Sequence, residues 1–108
     1  MTVPTTGIAL IPLSPRERHA PDARLVVILE GKNLHARALD TLSRRHHASA
    51  HVDRKNNKAF VSVPCVSMES ALSTLVCAGI KMKRDYTTLE RIAEAEHEAA
   101  KCEAVVCH

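Results

Sequence analysis

Leu25-Val26-Val27-Ile28-Leu29 is apolar at every position. A strand with one face in water alternates apolar and polar residues, so a continuous run of this length suits a strand buried on both faces. Gly31 breaks the run, and Asn33 is placed to cap a following helix. Leu34, Ala38, Leu39 and Leu42 form a stripe at helical spacing. That helix is expected to end near His46, with Arg44, Arg45, His46 and His47 at its dipole-favoured end.

Further along, Ala48-Ser-Ala-His-Val-Asp-Arg54 and Ala59-Phe-Val-Ser-Val63 alternate in the manner of paired strands. Asn56-Asn57 between them is a hairpin signal, because asparagine tolerates the positive φ of a tight turn. Pro64 ends the second of these strands. Ser67 is placed to cap a helix bearing Met68, Ala71, Leu72, Leu75 and Val76, and Gly79 to stop it. Ile80 to Tyr86 alternates Ile80, Met82 and Arg84 with Lys81, Lys83 and Asp85 and reads as a last strand. Thr87-x-x-Glu90 is a capping box for a final, Ala-rich helix carrying Leu89, Ile92, Ala93, Ala99 and Ala100, with Val105 and Val106 near its end. Such a thin stripe needs a partner surface to be stable.

Strand, helix, strand, strand, helix, strand over residues 24–86 is the order of a ferredoxin-like split βαβ domain. The expected fold is therefore α+β: a four-stranded antiparallel sheet, two helices on one face, and an additional C-terminal helix over residues 87–108. Residues 1–23 read as an N-terminal arm that is Thr- and Pro-rich. Within it Gly7 to Leu13 is a possible edge strand, since Pro12 argues against a central one. Ser14 to Asp22 reads as a polar loop.

A chain of 108 residues bounds this to one domain. With one Tyr, one Phe and no Trp, any aromatic stacking platform has two rings at most. No apolar run approaches the ~20 residues that span a bilayer, and Met1 to Leu13 has no basic lead-in of the secretory kind. Four Cys without an export signal suit reduced thiols, and the expected location is cytoplasmic. The charge is segregated: ten Lys/Arg against three Asp/Glu from Lys32 to Arg84, then two against six from Asp85 to His108.

Alternation puts Ala48, Ala50 and Val52 with Ala59, Val61 and Val63 on the helix-packed face, and His51, Lys58 and Phe60 on the other. Nucleic-acid-binding sheets present their stacking rings on that face. Ala59-Phe60-Val61 resembles three positions of the aromatic octapeptide of RNA-recognition motifs, although Lys58 stands where a second aromatic belongs and the first strand supplies none. The two-sided apolar Leu25–Leu29 argues instead that this face is covered, by the final helix or by a second copy of the chain. Arg54, Lys55 and Lys58 cluster at the hairpin turn, and Lys81, Lys83 and Arg84 lie on the last strand. Such clusters suit phosphates or an acidic protein surface; lysines on an edge strand also deter sheet-to-sheet aggregation.

His97, Cys102, Cys107 and His108 are potential metal donors, but their spacings fit neither one helical face nor a zinc-finger pattern. Three glycines cannot build a phosphate loop, and a nucleophilic pair such as Cys65 with His51 has nothing in the sequence to bring it together. The expected function is a small non-enzymatic binding module or regulator without cofactor. It would be homodimeric through the sheet face and act on nucleic acid or on the proteins that handle it. Arg54, Lys55, Lys58, Lys81, Lys83 and Arg84 would supply electrostatic contacts, with Phe60 and His51 beside them. The alternative is a protein-interaction adaptor or inhibitor using the acidic C-terminal helix or the sheet face, with no nucleic-acid contact.

Overall fold

The computed structural model describes residues 4–105. Its elements in chain order are β1 (Thr6–Pro12), α1 (Pro15–Arg18), β2 (Arg24–Glu30), α2 (Ala36–Arg45), β3 (Ser49–Asp53), β4 (Lys58–Pro64), α3 (Met68–Cys77), β5 (Lys81–Thr87), α4 (Leu89–Ala100) and β6 (Glu103–Ala104). The strands form one six-stranded sheet in the order β5-β1-β2-β4-β3-β6. It is mixed: β1 pairs parallel with β5 and antiparallel with β2, and the remaining pairs are antiparallel. The fold is α+β as expected, but the sheet is neither four-stranded nor wholly antiparallel.

The difference has one main cause. The N-terminal strand, expected at an edge, lies between β2 and β5 in the sheet interior. Apolarity ranks the strands: Gly7-Ile-Ala-Leu-Ile is apolar on both faces, whereas Lys81-Met-Lys-Arg-Asp-Tyr-Thr is mostly charged or polar, so the charged strand takes the solvated edge. Pro12 does not prevent this, because the β1–β2 ladder runs from Thr6↔Glu30 to Leu10↔Val26 and stops before it. On the β5 side Pro12 sits opposite Thr87, and the next N–H, that of Leu13, donates to Thr87 O at 2.9 Å. The ring closes the strand where no ladder bond is owed.

On one face of the sheet, Ala9 and Ile11 of β1, Leu25, Val27 and Leu29 of β2, and Val61 and Val63 of β4 pack under α2 and α3. Leu39, Leu42, Leu72 and Leu75 are the helical contributions, each nearly or fully buried. Burial of a leucine at this level is worth about 1.5–3 kcal/mol. This inner face holds most of the core. The outer face carries a smaller cluster of Leu10, Val26, Ile92 and Ala95, in which α4 meets β1 and β2.

Element ends differ from expectation in three places. Helix α2 starts at Ala36, after His35 at φ 52°. Asn33 is not its cap: its Oδ1 accepts from the His35 N–H at 3.0 Å, closing a turn on the approach. The cap of α4 is Thr88, whose hydroxyl accepts from the Arg91 N–H at 3.3 Å, because Thr87 remains in β5. Helix α4 ends at Ala100, and the chain turns to lay β6 beside β3; Val105 N–H donates to Ala50 O at 2.8 Å, and Val106 lies outside the described residues. Two further signals differ. Ser67 makes no side-chain cap bond and instead ends a short 3-10 turn over Cys65–Ser67 that leads into α3. The expected loop from Ser14 to Asp22 contains the one-turn helix α1, opened by Pro15. Asn57 takes positive φ in the hairpin, and Gly79, at φ 91°, ends α3.

Candidate outer-face trough

The side chains of the outer face form three rows across the sheet, fixed by strand register. Asp85, Leu10, Val26, Ser62 and Ser49 make the first; Lys83, Ile8, Ile28, Phe60 and His51 the second; Lys81, Thr6, Glu30, Lys58 and Asp53 the third. The first is capped centrally by α4, the second has an apolar middle, and the third is charged.

Helix α4 crosses these rows diagonally. Near its start the Arg91 guanidinium donates to Asp85 Oδ2 at 2.7 Å, in the first row. Beyond its end β6 pairs with β3 at His51↔Ala104, in the second row. The expectation that the final helix or a second copy covers this face is thus met within one chain by α4, but only in part. Covering Leu10 and Val26 leaves the Ile8–Ile28–Phe60 row as the floor of an open trough. Ile8 is 41% exposed whereas Phe60 is 8% exposed, so the trough is wide over β1 and narrows toward β4.

The trough encloses about 950 Å³ between that floor and α4. Glu90, Glu94 and Glu98 line its helical wall, with Arg91 and His97. Thr6, Glu30 and Lys58 form the opposite rim. The lining holds four carboxylates and two cations. Both cations are engaged: Lys58 pairs with Glu30 at 3.5 Å and Arg91 with Asp85. Beneath α4, Phe60 also borders a cavity of about 260 Å³ with Ser49, His51 and Glu96. There the Arg24 Nε donates to Ser62 Oγ at 2.8 Å, which fixes the guanidinium.

The predicted basic residues are divided between two sites. Arg54 and Lys55 lie exposed at the β3–β4 hairpin, with Arg54 paired to Glu103 at 3.5 Å. Lys81, Lys83 and Arg84 lie on β5, four strand spacings away, or roughly 19 Å at about 4.8 Å each. Lys81 and Lys83 are exposed on the outer face. Arg84 faces α3 and grips Glu69 with two bonds of 2.9 Å. His51 and Phe60 are neighbours across β3 and β4. Cys65 packs against the inner core, on the face opposite His51, so that nucleophile–base pair does not assemble. Among the described residues no three His, Cys, Asp or Glu side chains are grouped to hold a metal ion; Cys107 and His108 lie outside them.

Burial pushes the Cys65 thiol up, and burial with nearby Asp53 and Glu98 does the same to Cys102. Both shifts are opposite to those that activate a thiolate. The Asn56 side-chain amide holds the Asp53 carboxyl below its ordinary value, ordering the hairpin. The hydrogen-bonded fork of Arg84 does the same to Glu69. A depressed carboxylate stabilises the fold above its ordinary titration range, and the contribution is lost as pH falls through the folded-state value. The Glu69 carboxyl is therefore expected to titrate by NMR below a free glutamate and to return to the ordinary value in Arg84→Met. Equal midpoints in the two proteins would contradict the pairing.

Sequence reasoning missed Ile8, Leu10, Ile28 and the α4 glutamates. The spacing of Glu90, Glu94 and Glu98 is a legible one-sided stripe; that it faces an apolar floor follows only from the path of α4. No helix among the described residues is long and apolar enough to cross a membrane. Compared with family models, curated proteins and solved structures, the chain has no match.

Proposed function

We propose that this chain is a non-enzymatic protein-interaction module that takes a segment of a partner in the trough between α4 and the outer sheet face. One observation carries the reading: the Ile8–Ile28–Phe60 row is apolar, lies in the middle of the sheet, and is left half open by the chain's own covering helix. A folded chain does not gain by leaving such a surface in water, and uncovered apolar surface of this kind marks interaction sites. The trough is open along its length, so a small ligand would stay largely solvated there, whereas a polypeptide segment could fill it. On the same reading, the segment from β2 to β5 is a ferredoxin-like unit with β1 inserted into its sheet.

A second reading keeps nucleic acid as the partner, favoured by Lys81 and Lys83 standing exposed at the open edge of β5. Two variants separate the readings. Ile8→Arg is expected to fold normally, since Ile8 is already 41% exposed, and to lose a nuclease-resistant protein partner in pull-down. Lys81→Glu with Lys83→Glu is expected to leave that partner bound. If the glutamate pair abolished capture and nuclease treatment did the same, nucleic acid would replace protein as the ligand. A dimer in light scattering that Ile8→Arg dissolves would make the occupant a second copy of the chain.

A further inference from the structure

We infer that the trough's ligand is a basic amphipathic helix of another protein, an inference that rests on reading the trough as the binding site. Three observations select this occupant.

The first is space. Among the described residues two helices, α2 and α3, pack on the inner face of the sheet, and α4 alone supplies the helical part of the outer-face cluster. Ile92 and Ala95 of α4 sit on the Leu10–Val26 row, and the Ile8–Ile28–Phe60 row lies two residues along each strand, or roughly 7 Å away. Packed helices stand about 8–10 Å apart. A second helix beside α4 would therefore lie over the open part of that row, with its apolar stripe on Ile8 and Ile28 and its end against the already buried Phe60.

The second is the backbone. The trough is on a sheet face, where the strand N–H and C=O groups are already bonded to neighbouring strands. An extended peptide laid there would find no ladder to join, as it would at an edge. A helix brings its backbone bonds with it.

The third is charge. Among the described residues four carboxylates line the trough. Lys58 is paired with one of them, Glu30, and Arg91 with Asp85, which leaves Glu90, Glu94 and Glu98 as the acidic wall. Glu98 lies 3.8 Å from Lys101, and the exposed Lys81 and Lys83 stand apart at the β5 end of the rows. Glu90, Glu94 and Glu98 recur every fourth residue, a rise of about 6 Å per step. Lys or Arg at every fourth position of a neighbouring helix matches that ladder. Unliganded, the same stripe is a like-charge repulsion within α4, which a cationic helix would relieve and a nucleic acid would worsen.

The test uses the whole chain and a synthetic peptide with Lys at every fourth position and Leu on the adjoining stripe. Controls are a scrambled peptide of equal composition and a version with Glu in place of Lys. Binding is read by fluorescence anisotropy, helix formation by circular dichroism, and location by NMR. The patterned peptide is expected to bind, gain helicity and shift Ile8, Ile28 and Glu94, while the controls bind at least roughly tenfold more weakly. The variant Glu90→Gln/Glu94→Gln/Glu98→Gln, in which every changed side chain is exposed, is expected to weaken the patterned peptide about tenfold and flatten its salt dependence. No binding, equal binding by the scrambled peptide, or unchanged affinity in the triple variant would overturn the inference. The broader reading fails separately: it falls if Ile8→Arg leaves every captured protein partner in place, and it stands if a partner of other chemistry is lost on Ile8→Arg.

Discussion

Gly7→Val is expected to lower the stability of the fold by about 3 kcal/mol or more, a large share of the roughly 5–15 kcal/mol that holds a domain of this size together. Gly7 lies in β1 opposite Leu29 of β2 and Met82 of β5. A Cβ added there would stand 2.5 Å from Met82 Sδ and 2.7 Å from Leu29 Cδ2. Two effects oppose each other. Valine is the better strand former, by about 1 kcal/mol at most. Overpacking costs more, because Leu29 is fully buried and both flanking strands are held by ladder bonds. Gly7→Ala is the milder case, at about 1–3 kcal/mol, since Met82 is a flexible side chain only partly buried. Combining Gly7→Ala with Met82→Ala is expected to recover part of that loss, so the two changes will not add. Urea unfolding measures all three proteins. If Gly7→Val were as stable as the parent, β1 could not lie between β2 and β5.

Leu25–Leu29, the Asn56-Asn57 hairpin and the stripes of α2 and α3 each specify their element locally, through periodicity and turn chemistry, and each was legible. The position of β1 was not. Pro12 argues against a central strand, but a proline forbids only the ladder bond its own nitrogen would make, and β1 ends its pairing with β2 before reaching it. The better signal was comparative: Gly7–Ile11 is apolar on both faces and Lys81–Thr87 is not. At the candidate site, local patterning placed His51, Lys58 and Phe60 on the outer face correctly. It could not show that this face is only half covered. That depends on the diagonal of α4, which is set at one end by Thr88 following directly on β5 and at the other by β6 pairing with β3. Both are long-range constraints with no periodicity to announce them. The acidic residues of α4 were visible as a charge total, and their total concealed the ordering of Glu90, Glu94 and Glu98 along one wall.

Ile92→Asp is expected to have the second large effect, and its form tests how the outer face is held. Ile92 is 4% exposed and packs with Leu10 and Val26 as the apolar anchor of α4. Truncation to alanine should cost about 2–4 kcal/mol. Aspartate adds an unpaired buried carboxyl, which burial favours in its neutral form and so titrates upward. The folded protein then binds more protons than the unfolded chain, and stability falls as pH rises. The deficit relative to the parent should thus be smallest below the aspartate range and reach its full value near neutrality. The loss has a ceiling, however. When burying the charge costs more than releasing the helix, α4 and the β6 pairing it leads into will detach, while the larger inner core stays closed. Hydrogen exchange locates that opening: protection should disappear from α4 and β6 and persist in β2 and β4. Exposure of Val26, Ile28 and Phe60 should then drive self-association visible by light scattering. Detachment also removes the trough's acidic wall, so the lysine-patterned peptide should lose its preference over the scrambled one. If β2 and β4 lost protection together with α4, the outer helix would belong to a single cooperative unit with the core, and the trough could not be opened without unfolding the protein.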